Sequence, residues 1–314
     1  MKVFFIDTVH QCLEQQLSSK GFECIDVTTA SRSELLQNIH QADGIVIRSR
    51  TPIDKEFLDA ATSLKFIARA GAGMENIDIL SATSKGIKLF SAPEGNRDAV
   101  AEHAMGMLLS LFNHLKRVDS EVRKGVWLRA ENRGYELKGK TVGLIGFGFM
   151  GKALAQRLKG FGCTIIAYDK YLGNYGNSDA TACSLKELQD TADIISLHIP
   201  QTEECVHLID DAFIEKCTKP FYLINTARGK NVKTSALVKG LESGKVLGAC
   251  LDVLEYEKAS FENFFSEDTL PQPLQYLITS EKVILSPHIA GWTHESHRKL
   301  SQVLFDKIEE AFQV

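Results

Sequence analysis

The sequence predicts an α/β chain built as two doubly wound parallel-sheet domains. Its 314 residues suit two domains at about 100 to 200 residues each. Short β-rich apolar runs recur along it with room for a crossover helix between each pair, the spacing of parallel β-α units. With 44% hydrophobic and 24% charged residues, the composition supplies two cores and excludes a disordered chain.

The first series places strands at 3–7, 23–27, 44–48, 64–68 and 87–90. Ala101, Ala104, Met105, Leu108, Phe112, Leu115, Val118 and Val122 then recur at helical spacing and predict one helix. Its apolar surround ends after Phe112, so its second half is expected to leave the core. After the polar stretch Glu131-Asn132-Arg133-Gly134, a second and more apolar series sets strands at 141–145, 164–168, 193–197, 221–225, 248–253 and 283–286. Residues 259–277 carry no clear period. Leu300, Val303, Leu304 and Ile308 predict a C-terminal helix within 294–312, which periodicity alone assigns to neither domain.

The formal charge of -4, without a basic block, argues against nucleic acid as a partner. No apolar stretch nears the ~18 residues of a membrane span, and residues 1–7 read as a strand rather than a signal core, so no membrane partner is expected. The seven cysteines are dispersed without a Cys-x-x-Cys pair. That fits neither a disulfide framework nor a zinc site, and reduced thiols in a cytoplasm are expected.

Gly146-Phe147-Gly148-Phe149-Met150-Gly151 directly follows a predicted strand and opens a predicted helix. Gly146 permits the tight turn, Gly148 lets backbone approach a pyrophosphate and Gly151 allows close helix-strand packing, while Phe149 and Met150 present amides at the helix N-terminus. Asp169 ends the next strand, where a carboxylate accepts from a ribose diol and repels a 2′-phosphate. The cofactor expected is therefore NAD rather than NADP, with Lys170 as a partial offset to that repulsion.

Three further segments end strands of the second series, where doubly wound sheets place ligands. They are Asn225-Thr226-Ala227-Arg228-Gly229, the run 251–257, and Ser286-Pro287-His288-Ile289-Ala290-Gly291. Arg228, Glu257 and His288 supply what hydride transfer on a hydroxy acid needs. A guanidinium binds the carboxylate bidentately, an imidazole exchanges the hydroxyl proton, and a carboxylate holds the imidazole.

These motifs, with Ala70-Gly71-Ala72-Gly73-Met74-Glu75-Asn76-Ile77-Asp78, Ala101-Glu102-His103, Gly125-Val126-Trp127 and Leu251-Asp252-Val253, resemble the D-isomer-specific 2-hydroxyacid dehydrogenase family over nearly the whole chain. The resemblance implies that Arg228, Glu257 and His288 are catalytic. It places Ala227 and Asp252 near the nicotinamide, His198-Ile199-Pro200 along the cofactor, and Thr226 among the cofactor-binding residues. It also implies a flavodoxin-like substrate domain of residues 1–95 and 288–314, a Rossmann cofactor domain of 96–287 inserted in it, and a homodimer built through about 102–133.

Ile47-Arg48-Ser49-Arg50-Thr51 resembles the segment that phosphoglycerate dehydrogenases hold near the substrate phosphate. Arg48 and Ser49, aided by Arg50, are thus expected to bind a dianion. Ala72 and Gly73 resemble the family's backbone clamp for the substrate carboxylate, and Asn96-Arg97 offers a further cation. The expected reaction is oxidation of D-3-phosphoglycerate at the head of serine biosynthesis, with no regulatory domain after Val314. A glyoxylate or hydroxypyruvate reductase would keep the same triad, and an NAD-sensing corepressor-like binding protein is the reading of another class. Departures are Phe149-Met150 in place of a cation within the glycine motif, Lys258 in place of proline, and a stretch between Glu257 and His288 about a dozen residues longer than is common, which leaves Glu255 as a rival partner for His288. Trp292 is expected to pack rather than to bind.

Overall fold

The structure, a computed structural model, describes residues 1–173, 175–257 and 270–313. Lys258, Phe261, Phe264 and Phe265 of the irregular stretch lie outside them. The chain divides into two compact units, residues 1–97 with 292–313 and residues 98–257 with 270–291.

In the first unit the strands are β1 (Lys2–Phe5), β2 (Glu23–Asp26), β3 (Gly44–Ile47), β4 (Phe66–Arg69) and β5 (Lys88–Ser91), paired in parallel in the order β2-β1-β3-β4-β5. Strand β3 reads Gly-Ile-Val-Ile and is buried throughout, as a central parallel strand covered on both faces must be. Gly44 in it has no side chain because the Phe66 ring lies where one would be, 2.2 Å from an ideal Cβ. One face packs on Leu13 and Leu17 of helix Cys12–Ser19 and on Leu300, Leu304, Phe305 and Ile308 of helix His294–Phe312. The C-terminal helix thus belongs to the first unit, an assignment that its own period did not carry. Leu35, Ile39, Phe57 and Leu58 cover the other face.

The second unit contains β6 (Thr141–Ile145), β7 (Thr164–Tyr168), β8 (Thr181–Ala182), β9 (Ile194–Leu197), β10 (Phe221–Asn225), β11 (Val246–Leu251) and β12 (Val283–Leu285). They form one parallel sheet in the order β12-β11-β10-β9-β6-β7-β8. From β6 the chain winds outward through β7 and β8, and from β9 it winds the other way. The strand order therefore switches between β6 and β9, where open α/β sheets bind ligands beyond the carboxyl ends of their strands. Apolar layers line both faces.

Two elements differ from the sequence reading. The single expected helix is two, Pro93–Phe112 and Leu115–Arg123, because His114 adopts a left-handed φ of 52° between them. Helix Leu115–Arg123 buries none of its residues, so the apolar Leu115 and Val122 face solvent in the single chain. The two-residue β8 went unread, since so short a strand leaves no period to read.

Phe66 is fully buried and meets the rings of Phe90 and Phe312 at 6.1 and 5.3 Å. Truncating such a ring leaves a cavity, so Phe66→Ala should destabilise the first unit by about 3–5 kcal/mol. Urea unfolding followed by circular dichroism reads this, and a loss under about 1 kcal/mol would show that helix His294–Phe312 closes over the void.

Candidate active site

Gly146 leaves β6 with φ 94°, and a Cβ there would lie 2.4 Å from the carbonyl oxygen of His198, which follows β9. A Cβ on Gly151 would lie 2.3 Å from the carbonyl oxygen of Gly146. These two glycines let three backbone segments meet at the switch point. Gly148 differs, since its Cβ would enter open space. It is also the N-cap of helix Phe149–Leu158, without a capping side chain, so the first-turn amides of Phe149 and Met150 carry the anion-attracting end of the helix. Phe149 is exposed and Phe147 buried, so the motif's aromatics split between surface and core.

Asp169 closes the turn from the other side. One carboxylate oxygen accepts from the Phe147 amide at 2.8 Å, the other from the amides of Tyr171 and Leu172 at 3.0 and 3.1 Å. Lys170 is ion-paired to Glu204, so it does not act as the expected offset to Asp169. His198 shares a 2.9 Å hydrogen bond with Ser196, and burial lowers its pKa to about 4, so it is neutral near pH 7. Ile199 and Pro200 follow it, and the Pro200 carbonyl accepts from Asn231.

After β10, the buried Asn225 shapes the next loop. Its side chain accepts from the Ala227 amide at 3.0 Å and donates to the Arg228 carbonyl at 2.9 Å. Thr226 carries a buried hydroxyl oxygen without a hydrogen-bond partner among the described residues. Arg228 donates to the Ala227 carbonyl at 2.7 Å. Gly229 then passes so near the next loop that a Cβ would sit 1.9 Å from the carbonyl oxygen of Leu254. Ordinary side chains at 229 would push apart the segments that carry Arg228 and Glu257.

His288 and Glu257 come together, with His288 Nδ1 3.1 Å from Glu257 Oε2. The rival acid is otherwise engaged: Glu255 meets His207 Nε2 at 2.6 Å and accepts from the Thr234 amide at 2.8 Å. His288 has a φ of 56°, an unfavoured conformation for a side chain of this size. Asp252 holds it there. Its carbonyl accepts from the His288 amide at 2.7 Å, and its carboxylate, 1% exposed, accepts from the Ser286 hydroxyl and the amides of Ile289 and Ala290 at 2.6, 2.9 and 2.8 Å. These bonds place residues 288–291 in the second unit, later than the expected boundary at 288. His103 completes the cluster, 2.9 Å from the Ser286 hydroxyl. The sequence reading gave Asn225, Ser286 and His103 no role of their own, although each stands in a motif it singled out.

In the first unit, Arg48 and Ser49 leave β3, and Ala72 and Gly73 lie in the turn after β4. The Arg48 guanidinium stacks on Trp292, its carbon 4.0 Å from the ring centroid, and among the described residues it makes no hydrogen bond. Trp292, expected to pack, is 47% exposed and serves as the platform for that cation. The Arg48 amide donates to Asp7, and its carbonyl accepts from Asn76 at 3.1 Å. Arg50 does not join it. Its guanidinium donates to Asp7 and to the carbonyls of Ala30 and Ile6 at 3.3, 2.9 and 2.6 Å, so the expected second phosphate ligand braces the loop instead.

The depressed pKa of His198 ties stability to pH. Its folded value lies below the unfolded one near 6.5, so the folded state binds fewer protons between them. That stabilisation is present above pH 6.5 and is lost as pH falls toward 4. The urea midpoint should drop over this window, and less so in His198→Asn; an equal drop in both would assign the acid loss to other groups.

The model of the D-isomer specific 2-hydroxyacid dehydrogenase NAD binding domain matches residues 105–290. D-3-phosphoglycerate dehydrogenase of Archaeoglobus fulgidus is 33% identical over 98% of this chain and 56% of its own length. Hydroxypyruvate reductase of Thermotoga maritima is 36% identical over 91% of this chain and 90% of its own. The structure of D-lactate dehydrogenase from Aquifex aeolicus, complexed with NAD and lactic acid, superposes with a TM-score of 0.84 at 28% identity and covers 100% of this chain and 96% of its own. The chain spans about half the length of the curated phosphoglycerate dehydrogenases it matches. Its glycine turn, the acid after β7 and the sheet that carries them are those of an NAD-binding domain, and the chain belongs to the D-isomer-specific 2-hydroxyacid dehydrogenases, a family of NAD-dependent oxidoreductases.

Proposed function

We propose that this chain oxidises D-3-phosphoglycerate to 3-phosphohydroxypyruvate with NAD. The observation that carries the choice of substrate is Arg48, whose guanidinium lies over the Trp292 ring and makes no hydrogen bond among the described residues. The two faces of a stacked guanidinium are covered or apolar, while its edge keeps the N–H fork that matches a phosphate. Ser49 follows it in the chain, and Ala72 and Gly73 of the same unit are the further substrate-binding residues of this reading.

The residues present fit the cofactor. Gly148 leaves room at an uncapped helix start, the Thr226 hydroxyl lacks a partner, and Asp169 is the only described acid bonded to the glycine turn. Gly146 to Gly151 would hold the pyrophosphate, Asp169 the ribose diol, and His198, Ile199, Pro200, Thr226, Ala227 and Asp252 the remainder. NAD held there would supply the acceptor for the hydride of C2. Arg228 pairs with the substrate carboxylate. As the C2–H pair leaves, the hydroxyl proton passes to His288 Nε2 and the C2–O bond becomes a carbonyl. Glu257, bonded at Nδ1, fixes the tautomer and orientation of the ring so that Nε2 is free to take the proton. In the reverse direction the same imidazolium returns the proton.

The reading extends to a cytoplasmic homodimer that acts in serine biosynthesis. Val126, Trp127 and Leu128 are exposed in the region 102–133, apolar surface that a second copy would cover. No helix among the described residues is long and apolar enough to cross a membrane. A second reading, reduction of hydroxypyruvate or glyoxylate, is favoured by the near-complete mutual coverage with the Thermotoga reductase and by the engagement of Arg50, which leaves one arginine for the distal anion.

Steady-state rates with NAD across D-3-phosphoglycerate, D-glycerate and D-lactate, and with NADH across hydroxypyruvate and glyoxylate, decide between them. Arg48→Ala should cost about 10- to 150-fold in kcat/KM for D-3-phosphoglycerate and leave D-glycerate nearly unchanged, as the loss of a charged hydrogen bond predicts. No preference for the phosphorylated acid in the unmodified enzyme gives the reductase reading its place. His288→Ala should lower kcat by about 10² to 10⁴ on every substrate while NADH binding, followed by fluorescence, stays intact. Normal turnover in that variant would remove His288 from the chemistry.

A further inference from the structure

Beside Arg48 the first unit gathers two histidines that the proposed chemistry does not use. Trp292 meets His297 with ring centroids 5.3 Å apart, and His297 meets His10 edge-on at 5.5 Å. The Nε2 of His297 is buried and has no hydrogen-bond partner among the described residues. His10 accepts from the Cys12 amide through Nδ1 at 3.2 Å, which places its own proton on Nε2 as a donor. The cluster therefore holds a guanidinium, an imidazole that donates through Nε2 and an imidazole with an unmet nitrogen.

We propose that His297, with Arg48 and His10, forms a phosphate subsite in which His297 takes up a proton as the dianion binds. This inference rests on the phosphorylated-substrate reading and adds to it a residue that sets specificity. The charged and titratable groups that act on His297 are Arg48, which leaves β3, and His10, just before helix Cys12–Ser19. Asp7, which accepts from Arg50 and the Arg48 amide, also acts on the Arg48 guanidinium and offsets part of its charge. In the free protein His297 is held below its ordinary pKa, first by burial and then by Arg48 and His10. A dianion reverses the electrostatic part of that depression. The imidazole then gains a proton from solvent and donates through Nε2, which ends its unmet state. A monoanionic or uncharged substrate end supplies too little charge to do so.

The test separates this from the catalytic histidine by a ratio, since phosphorylated and plain substrates share His288. Above pH 7 a phosphate monoester is nearly fully dianionic, its second pKa being about 6. From pH 7 to 8.5 the ratio of kcat/KM for D-3-phosphoglycerate to that for D-glycerate should fall about tenfold, the size of one charged hydrogen bond, and His297→Gln should flatten it. Calorimetry of inorganic phosphate binding to the unmodified chain, in buffers of different ionisation enthalpy, should show proton uptake that His297→Gln abolishes. Imidazole NMR of the unmodified chain gives the same answer without a substitution: phosphate should raise the His297 pKa. If phosphate binds, and Arg48→Ala abolishes it, while the His297 pKa stays put and the ratio is flat with pH, this inference is overturned and the phosphorylated-substrate reading stands. If phosphate does not bind at all, the inference falls, and the substrate panel decides the reading independently.

Discussion

The acid-base pair depends on a buried carboxylate that does no chemistry itself in the proposed mechanism. Taking an ionised carboxylate out of water costs several kcal/mol unless donors replace the lost solvent. Asp252 meets that demand with one hydroxyl and two amides, all from residues 286–290. Charge-assisted bonds of this kind are about twice as strong as neutral ones. They are strong enough to hold His288 in a left-handed conformation that costs of order 1–3 kcal/mol. The strain and the buried charge are thus two sides of one arrangement, which brings the imidazole to Glu257.

The same economy of backbone governs the cofactor side. Gly146, Gly151 and Gly229 each stand where a Cβ would strike a carbonyl oxygen of another segment. Their absence of side chain sets the distance between loops after β6, β9, β10 and β11. Gly148 alone opens outward. Three glycines therefore make the frame, and one leaves space for a ligand, which is why the spacing within the motif is a stronger signal than glycine content.

Acids and cations of the same type are sorted by what already occupies them. Glu255 and Glu257 stand two residues apart, yet the helix start at Thr234 and His207 engage the first, and His288 meets the second. Arg48 and Arg50 are likewise two apart, and carbonyls with Asp7 take Arg50 while Arg48 lies on Trp292. Lys170, beside Asp169, is drawn off by Glu204. In each pair the distinction is electrostatic satisfaction by groups far away in sequence.

The sequence by itself determined the two parallel sheets, because strands buried on both faces must be apolar runs and the helices between them must carry a period of their own. It also determined the glycine turn with Asp169 and the order Arg228, Glu257, His288, since strand ends in such sheets face one edge. The break at His114 was not legible, for the apolar period runs through it and only the local φ stops the helix. Nor was the platform under Arg48: Trp292 lies more than two hundred residues on, and nothing in its neighbours marks a cation above it. Which of two like residues is occupied, and which buried amides a carboxylate must satisfy, are facts about separations through space. Those separations exist only once the chain has folded, so the tertiary structure alone decided them.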